Sequence, residues 1–187
     1  MKTADFDIEK IVKRGAITNE LDYERALIAD RKLRILSKEN SHFKNVRNNL
    51  RDLIEQYESL EWGDLESITD EKVIESNKFE KIAEMERVFI EARKSEIKNK
   101  LKELNLTQQD LAKILGHKSK THMSELMNGI KPFTLRDLII INRIFKVNMN
   151  KLLPLFLSND DQIKLKEAVK SINSPNLKLK SDDLILC

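Results

Sequence analysis

One cysteine, three prolines and four glycines are all that this chain of 187 residues contains. The cysteine stands at the last position, Cys187, so no internal disulfide is expected and a reducing, cytoplasmic setting follows. No proline precedes Pro132. With so little to interrupt a helix, and with Leu, Ile, Glu and Lys abundant, the chain is expected to be all-α. No apolar run approaches membrane-spanning length, and the opening MKTADFDIEK carries acidic residues with no hydrophobic stretch behind it, so no membrane association is expected.

Absences also weigh against catalysis. Four dispersed glycines form no phosphate-cradling loop. His42, His117 and His122 share no metal-ligand spacing with one another or with Cys187. Asp160-Asp161 and Asp182-Asp183 are adjacent carboxylates, which diverge along a chain and more often cap helices or face water. No catalytic residue, metal ligand or cofactor is expected, and the chain is read as a protein that is not an enzyme.

What is present is helical periodicity and charge. Residues 4–14 fit a short helix closed by Gly15, residues 19–37 a longer one, and Ser41 opens a third that Trp62-Gly63 ends. Nothing between Thr69 and Gly116 breaks a helix, and a long one is expected within 78–104. A further helix is expected at 160–172, followed by a tail. Charge then divides the chain. Residues 1–62 hold twelve basic and twelve acidic side chains, 63–90 four and eight, 91–157 thirteen and six, and 158–187 five and five. The basic excess is confined to 91–157, an electrostatic footprint suited to a polyanion. A solvated lysine-rich face would give the same count.

Local chemistry in 106–138 separates these possibilities. Thr107-Gln108-Gln109-Asp110 and Thr134-Leu135-Arg136-Asp137 each have the form of a capping box, so helices should start at Gln108 and at Leu135. Gly116 is suited to stop the first helix in the left-handed conformation, and Ser119 to cap another that follows a tight turn. Ala112 is small where the two would cross. That layout is a helix-turn-helix, whose second helix is anchored on one side and left polar on the other so as to enter a DNA major groove. Stepping about 100° per residue from Lys120 puts the anchors Met123, Leu126 and Met127 on one side and Thr121, Glu125 and Asn128 on the other, with His122 and Ser124 flanking. Lys120, Thr121 and Glu125 are the expected base-reading residues, because lysine donates to guanine, threonine offers a hydroxyl and a methyl, and glutamate accepts from cytosine. Gln108, Lys118, Ser119, Asn128 and Lys131 are the expected phosphate contacts.

The stretch LTQQDLAKILG, followed by SKTHMSELMNGIKPFTLRDLIIINRIFKVNMNKLLP, resembles the Xre/Cro helix-turn-helix and, more narrowly, HigA-type antitoxins of toxin–antitoxin pairs. Upstream, Tyr23, Ala26, Leu27, Leu50, Leu53, Ile54, Tyr57 and Glu58 resemble the helical N-terminal part common in that group, so the resemblance covers about residues 19–157. The turn LGHKS is one residue longer than the usual pattern, which shifts the register of the helix that follows. The resemblance implies a five-helix lambda-repressor-like domain over 91–157, joined by a long helix and an acidic linker at 63–90 to a helical N-terminal region at 1–62 that mediates dimerisation or toxin binding; 158–187 would be a C-terminal helix and tail. It also implies a function: a DNA-binding antitoxin of a type II pair that neutralises a cognate RNA-cleaving toxin and represses its own operon. The expected partners are double-stranded operator DNA, the toxin and a second copy of the chain in a homodimer. Two alternatives remain open, a stand-alone Xre-family repressor and a helical protein-interaction module that does not bind DNA.

Overall fold

A computed structural model describes residues 7–179 except 65, 67, 155, 156, 158, 175 and 178. Among these residues every regular element is helical: α1 (Ile8–Arg14), α2 (Glu20–Leu36), α3 (Ser41–Glu61), α4 (Asp70–Glu103), α5 (Gln108–Leu115), α6 (Lys120–Asn128), α7 (Leu135–Phe145), a 3-10 turn at Met149–Lys151, and α8 (Asn159–Ile172). No helix among them is long and apolar enough to cross a membrane.

Side-chain caps decide where these helices begin. The carboxylate of Asp7 accepts from the Lys10 amide, so α1 starts at Ile8, later than residue 4 as expected from periodicity; residues 4–6 lie outside the described chain. Asn19 and Asn40 cap α2 and α3 in the same manner. Thr69 accepts from the Lys72 amide, which starts α4 at Asp70 and makes it 34 residues long, about 50 Å. The helix expected within 78–104 is therefore more than a turn longer at its N-terminal end.

Two hydrophobic cores form along α4. The first gathers Ile8 and Ile11 from α1, Ala26, Ala29 and Leu33 from α2, and Phe43, Val46, Leu50, Leu53 and Ile54 from α3. Stacked Tyr23 and Tyr57, 4.9 Å between centroids, extend it, and their hydroxyls donate to Glu58 and Glu20. The second core joins Ile97 and Leu101 at the end of α4 to the apolar faces of α5, α6 and α7 and to Leu152. α4 ties the two together. Toward its middle, Arg25 of α2 donates to both oxygens of the buried Glu86. One turn short of the second core, the buried guanidinium of Arg93 lies between the rings of Phe89 and Phe133, 5.4 and 5.3 Å from their centroids, and donates to the Leu152 carbonyl. Desolvation lowers the Arg93 pKa to about 10.

Among the described residues, one crosses between the cores. Ile130, directly after the turn that closes α6, is buried in the first core, and its carbonyl accepts from the Ile8 amide at 3.1 Å. The N-terminal unit is thus packed against the outer side of α6.

Candidate nucleic-acid interface

The frame that holds α6 is built from local hydrogen bonds. Thr107 accepts from the Asp110 amide while Asp110 accepts from the Thr107 amide, and Thr134 and Asp137 repeat the exchange at α7. The helices consequently start at Gln108 and Leu135, as their sequences lead one to expect. Gly116 adopts φ 83° and ends α5, the His117 amide then reaching back to the Ala112 carbonyl at 2.8 Å. Ser119 caps α6 by accepting from the His122 amide at 3.1 Å. The longer turn, Gly116 to Ser119, is accommodated without displacing the anchors: Met123, Leu126 and Met127 are all buried in the second core.

With those anchors inward, the opposite face of α6 carries Thr121, Glu125 and Asn128, the set that amphipathicity places there. It does not face water. Thr121 Oγ1 accepts from Asn40 at 2.9 Å. Glu125 is only 2 % exposed; its Oε1 lies 2.7 Å from His42 Nε2, and its Oε2 lies 2.9 Å from Lys131 Nζ and 3.2 Å from His122 Nδ1. Lys131 reaches across to Glu9 of α1 as well, again at 2.9 Å. The carbonyl of Asn128 accepts from Lys32 and its side-chain oxygen from Lys94, while its amide donates to the Ser124 carbonyl. Of the expected base-reading residues, Thr121 and Glu125 are therefore engaged by Asn40, His42 and Lys131, while Lys120 stays exposed.

The electrostatics of this seam follow from the pairing. Burial acts to raise the Glu125 pKa, but contacts with Lys131, Glu9 and His42 outweigh it and hold the carboxyl below its ordinary range. Burial likewise acts to lower Lys131, and its two carboxylate partners raise it above the ordinary lysine value. Both groups are charged at neutral pH. Deeper in the turn, the buried Asp137 Oδ1 faces His117 Nε2 at 3.3 Å without hydrogen-bond alignment.

The N-terminal end of α6 differs from its body. Lys118, Ser119 and Lys120 are exposed, and neither lysine has an ion pair among the described residues. Gln108, half-buried, opens α5 nearby. Of the expected DNA contacts, then, Lys118, Ser119 and Lys120 meet solvent directly, whereas Thr121, Glu125, Asn128 and Lys131 are engaged within the protein. Sequence inspection misses Glu9, Lys32, Asn40 and His42, whose partners on α6 and the turn after it are distant in the chain and leave no periodic signal.

Residues 97–152 match the family model described as helix-turn-helix. No curated protein and no solved structure matches the chain. The matched segment coincides with the second core, from Ile97 to Leu152. The segment is similar to Xre-type helix-turn-helix domains, which support a reading as a DNA-binding transcription regulator, and the described residues around it are organised in helices alone.

Proposed function

We propose that this regulator is the antitoxin of a type II toxin–antitoxin pair, a cytoplasmic homodimer that binds its own operator through the helix-turn-helix and sequesters an RNA-cleaving toxin through its other half. The observation that carries this reading is the union of a complete helix-turn-helix with a second helical unit whose side chains cover the face that would read bases. DNA access then depends on the state of that second unit, which is what a repressor answering to a protein partner requires.

In the DNA-bound state Lys120, Thr121 and Glu125 would contact base edges, and Gln108, Lys118, Ser119, Asn128 and Lys131 phosphates. The exposed lysines at the start of α6 would meet DNA first. The remaining contacts follow once α1 and α3 separate from α6. The toxin would bind the N-terminal unit and the exposed carboxylates of Asp70, Glu71 and Glu75 at the start of α4, since basic toxins are repelled by the basic end of α6. The dimer would form through the N-terminal helices, giving two reading heads about 34 Å apart on a palindrome.

Operator binding and toxin neutralisation should therefore separate. Replacing Lys120 and Thr121 with alanine is expected to abolish binding to the DNA upstream of the chain's own reading frame while leaving neutralisation of a co-expressed neighbouring toxin intact. A variant that stays folded yet loses neutralisation would refute the division. The burial of Glu125 favours a second reading, a protein-interaction module in which α6 stays covered. Full-length protein that shows no salt-dependent DNA affinity under any condition would select that alternative.

A further inference from the structure

We propose that Glu9, His42 and Glu125 form a site for a first-row divalent metal ion such as zinc, set across the seam so that the ion clamps the N-terminal unit over α6. The three side chains converge from α1, α3 and α6. His42 Nε2 lies 2.7 Å from Glu125 Oε1 and 3.4 Å from Glu9 Oε1, and one ligand atom from each residue falls within 4.8 Å of the other two. Metal bonds of about 2.1 Å meeting at tetrahedral or octahedral angles separate their donor atoms by about 3.0–3.4 Å. An ion thus needs a small opening of the His42–Glu125 contact, while the His42–Glu9 distance already matches that spacing.

Lys131 orients this donor set. Its ammonium holds Oε2 of Glu9 and Oε2 of Glu125, each at 2.9 Å, which leaves Oε1 of both carboxylates turned toward His42. Ligands in metal sites are commonly fixed by such outer hydrogen bonds. His122 Nδ1 adds a second contact to Glu125 Oε2. The groups facing the site are then two carboxylates, one ammonium and two imidazoles, so with neutral imidazoles one negative charge is uncompensated. A divalent cation answers that charge. On its entry the His42–Glu125 hydrogen bond gives way, the His42 proton moves from Nε2 to Nδ1 by exchange with solvent so that the ring stays neutral, and Nε2 and Oε1 become ligands. Water completes the coordination past the His42 side chain, which is 41 % exposed. A donor set that includes imidazole suits zinc and its neighbours better than magnesium or calcium, which take oxygen.

Because the ligands belong to both sides of the seam, a bound ion favours the covered state and weakens DNA binding. That consequence rests on α6 being the reading helix; ion binding does not. The test is zinc titration of the full-length protein, followed by competition with a chromogenic chelator and by thermal unfolding. One ion per chain is expected, with a higher melting temperature. Glu9→Gln and His42→Gln should each weaken binding at least about tenfold. The glutamine at position 42 can still donate to Glu125, so the metal-free protein should melt near the wild-type temperature and lose only the zinc-dependent rise. Cys187→Ser and His117→Ala should bind zinc as the wild type does. Absence of zinc binding, or binding undiminished in both glutamine variants, would overturn the site. Zinc binding that depends on His42 but leaves DNA affinity unchanged would uphold the site and refute the role of α6 as the covered reading helix.

Discussion

The helix-turn-helix core and the seam on its outer side are built from opposite materials. Inside, Leu111, Leu115, Met123 and Ile141 are at most 1 % exposed and belong to one hydrophobic cluster. Across the seam, apart from the peg of Ile130, the contacts are an amide on a hydroxyl, an imidazole on a carboxylate, and lysines on carboxylates and carbonyls. Apolar surface loses heavily when returned to water, whereas each of these polar partners is resolvated on separation. The seam therefore opens at far lower cost than the core, and a covering unit that must come away from DNA-reading residues needs that property.

The largest effect expected from breaking this comparison is in the core. Ile141 is fully buried, and Ile141→Ala should cost about 2–5 kcal/mol in urea unfolding by cavity formation. Ile130→Ala removes the apolar peg of the seam. It should cost about 2–3 kcal/mol and, unlike the core variant, should strengthen DNA binding by freeing α6. A loss of DNA affinity in folded Ile130→Ala protein would show that the peg positions α6 rather than covers it.

Two glycines sharpen the contrast between local and tertiary constraint. Gly116 and Gly129 both have positive φ, but a Cβ at Gly116 meets nothing within 4 Å, whereas one at Gly129 falls 2.7 Å from Ile90 Cγ2. Gly116→Ala should cost about 1–2 kcal/mol from backbone strain alone. Gly129→Ala should cost more, by whatever displacement of Ile90 requires, and chemical denaturation of the pair isolates that difference. Equal costs would mean that the Ile90 side chain moves freely.

Smaller effects distinguish the two ends of α6. Lys118→Gln should lower the slope of log affinity against log salt by about one, whereas Lys120→Gln should change sequence preference by about 1–3 kcal/mol at the base it reads. Lys131, held by Glu9 and Glu125, should produce the same decrement only if the seam is open on DNA, so Lys131→Gln reports the state of the bound protein. At the bottom of the scale, Thr107→Ala removes one member of a capping box on an exposed helix start and should cost about 1 kcal/mol in thermal or urea unfolding.

Much of the helix-turn-helix is legible in the residues themselves. Both capping boxes, the left-handed glycine and the serine cap act between residues a few positions apart, so the residue types at those spacings state the hydrogen bonds directly. The anchors of α6 are legible for a related reason: a hundred-degree step makes apolar positions declare their own side. The start of α4 is not, because the Thr69 cap sets it and apolar spacing does not reveal a cap.

By itself, then, the sequence determined the helices, most of their ends, and which side of α6 packs into its own core, all of them consequences of short-range bonding and helical geometry. It did not determine what the other side of α6 meets. Asn40 reaches Thr121 across 81 positions, His42 reaches Glu125 across 83, and Lys32 reaches Asn128 across 96. A polar helix face has the same residue pattern whether water, DNA or another part of the chain lies against it. Only the packing of α1 and α3 around Ile130 closed the seam and drew Glu9, His42 and Glu125 together, because convergence from three distant helices is a property of the folded chain and of no local segment.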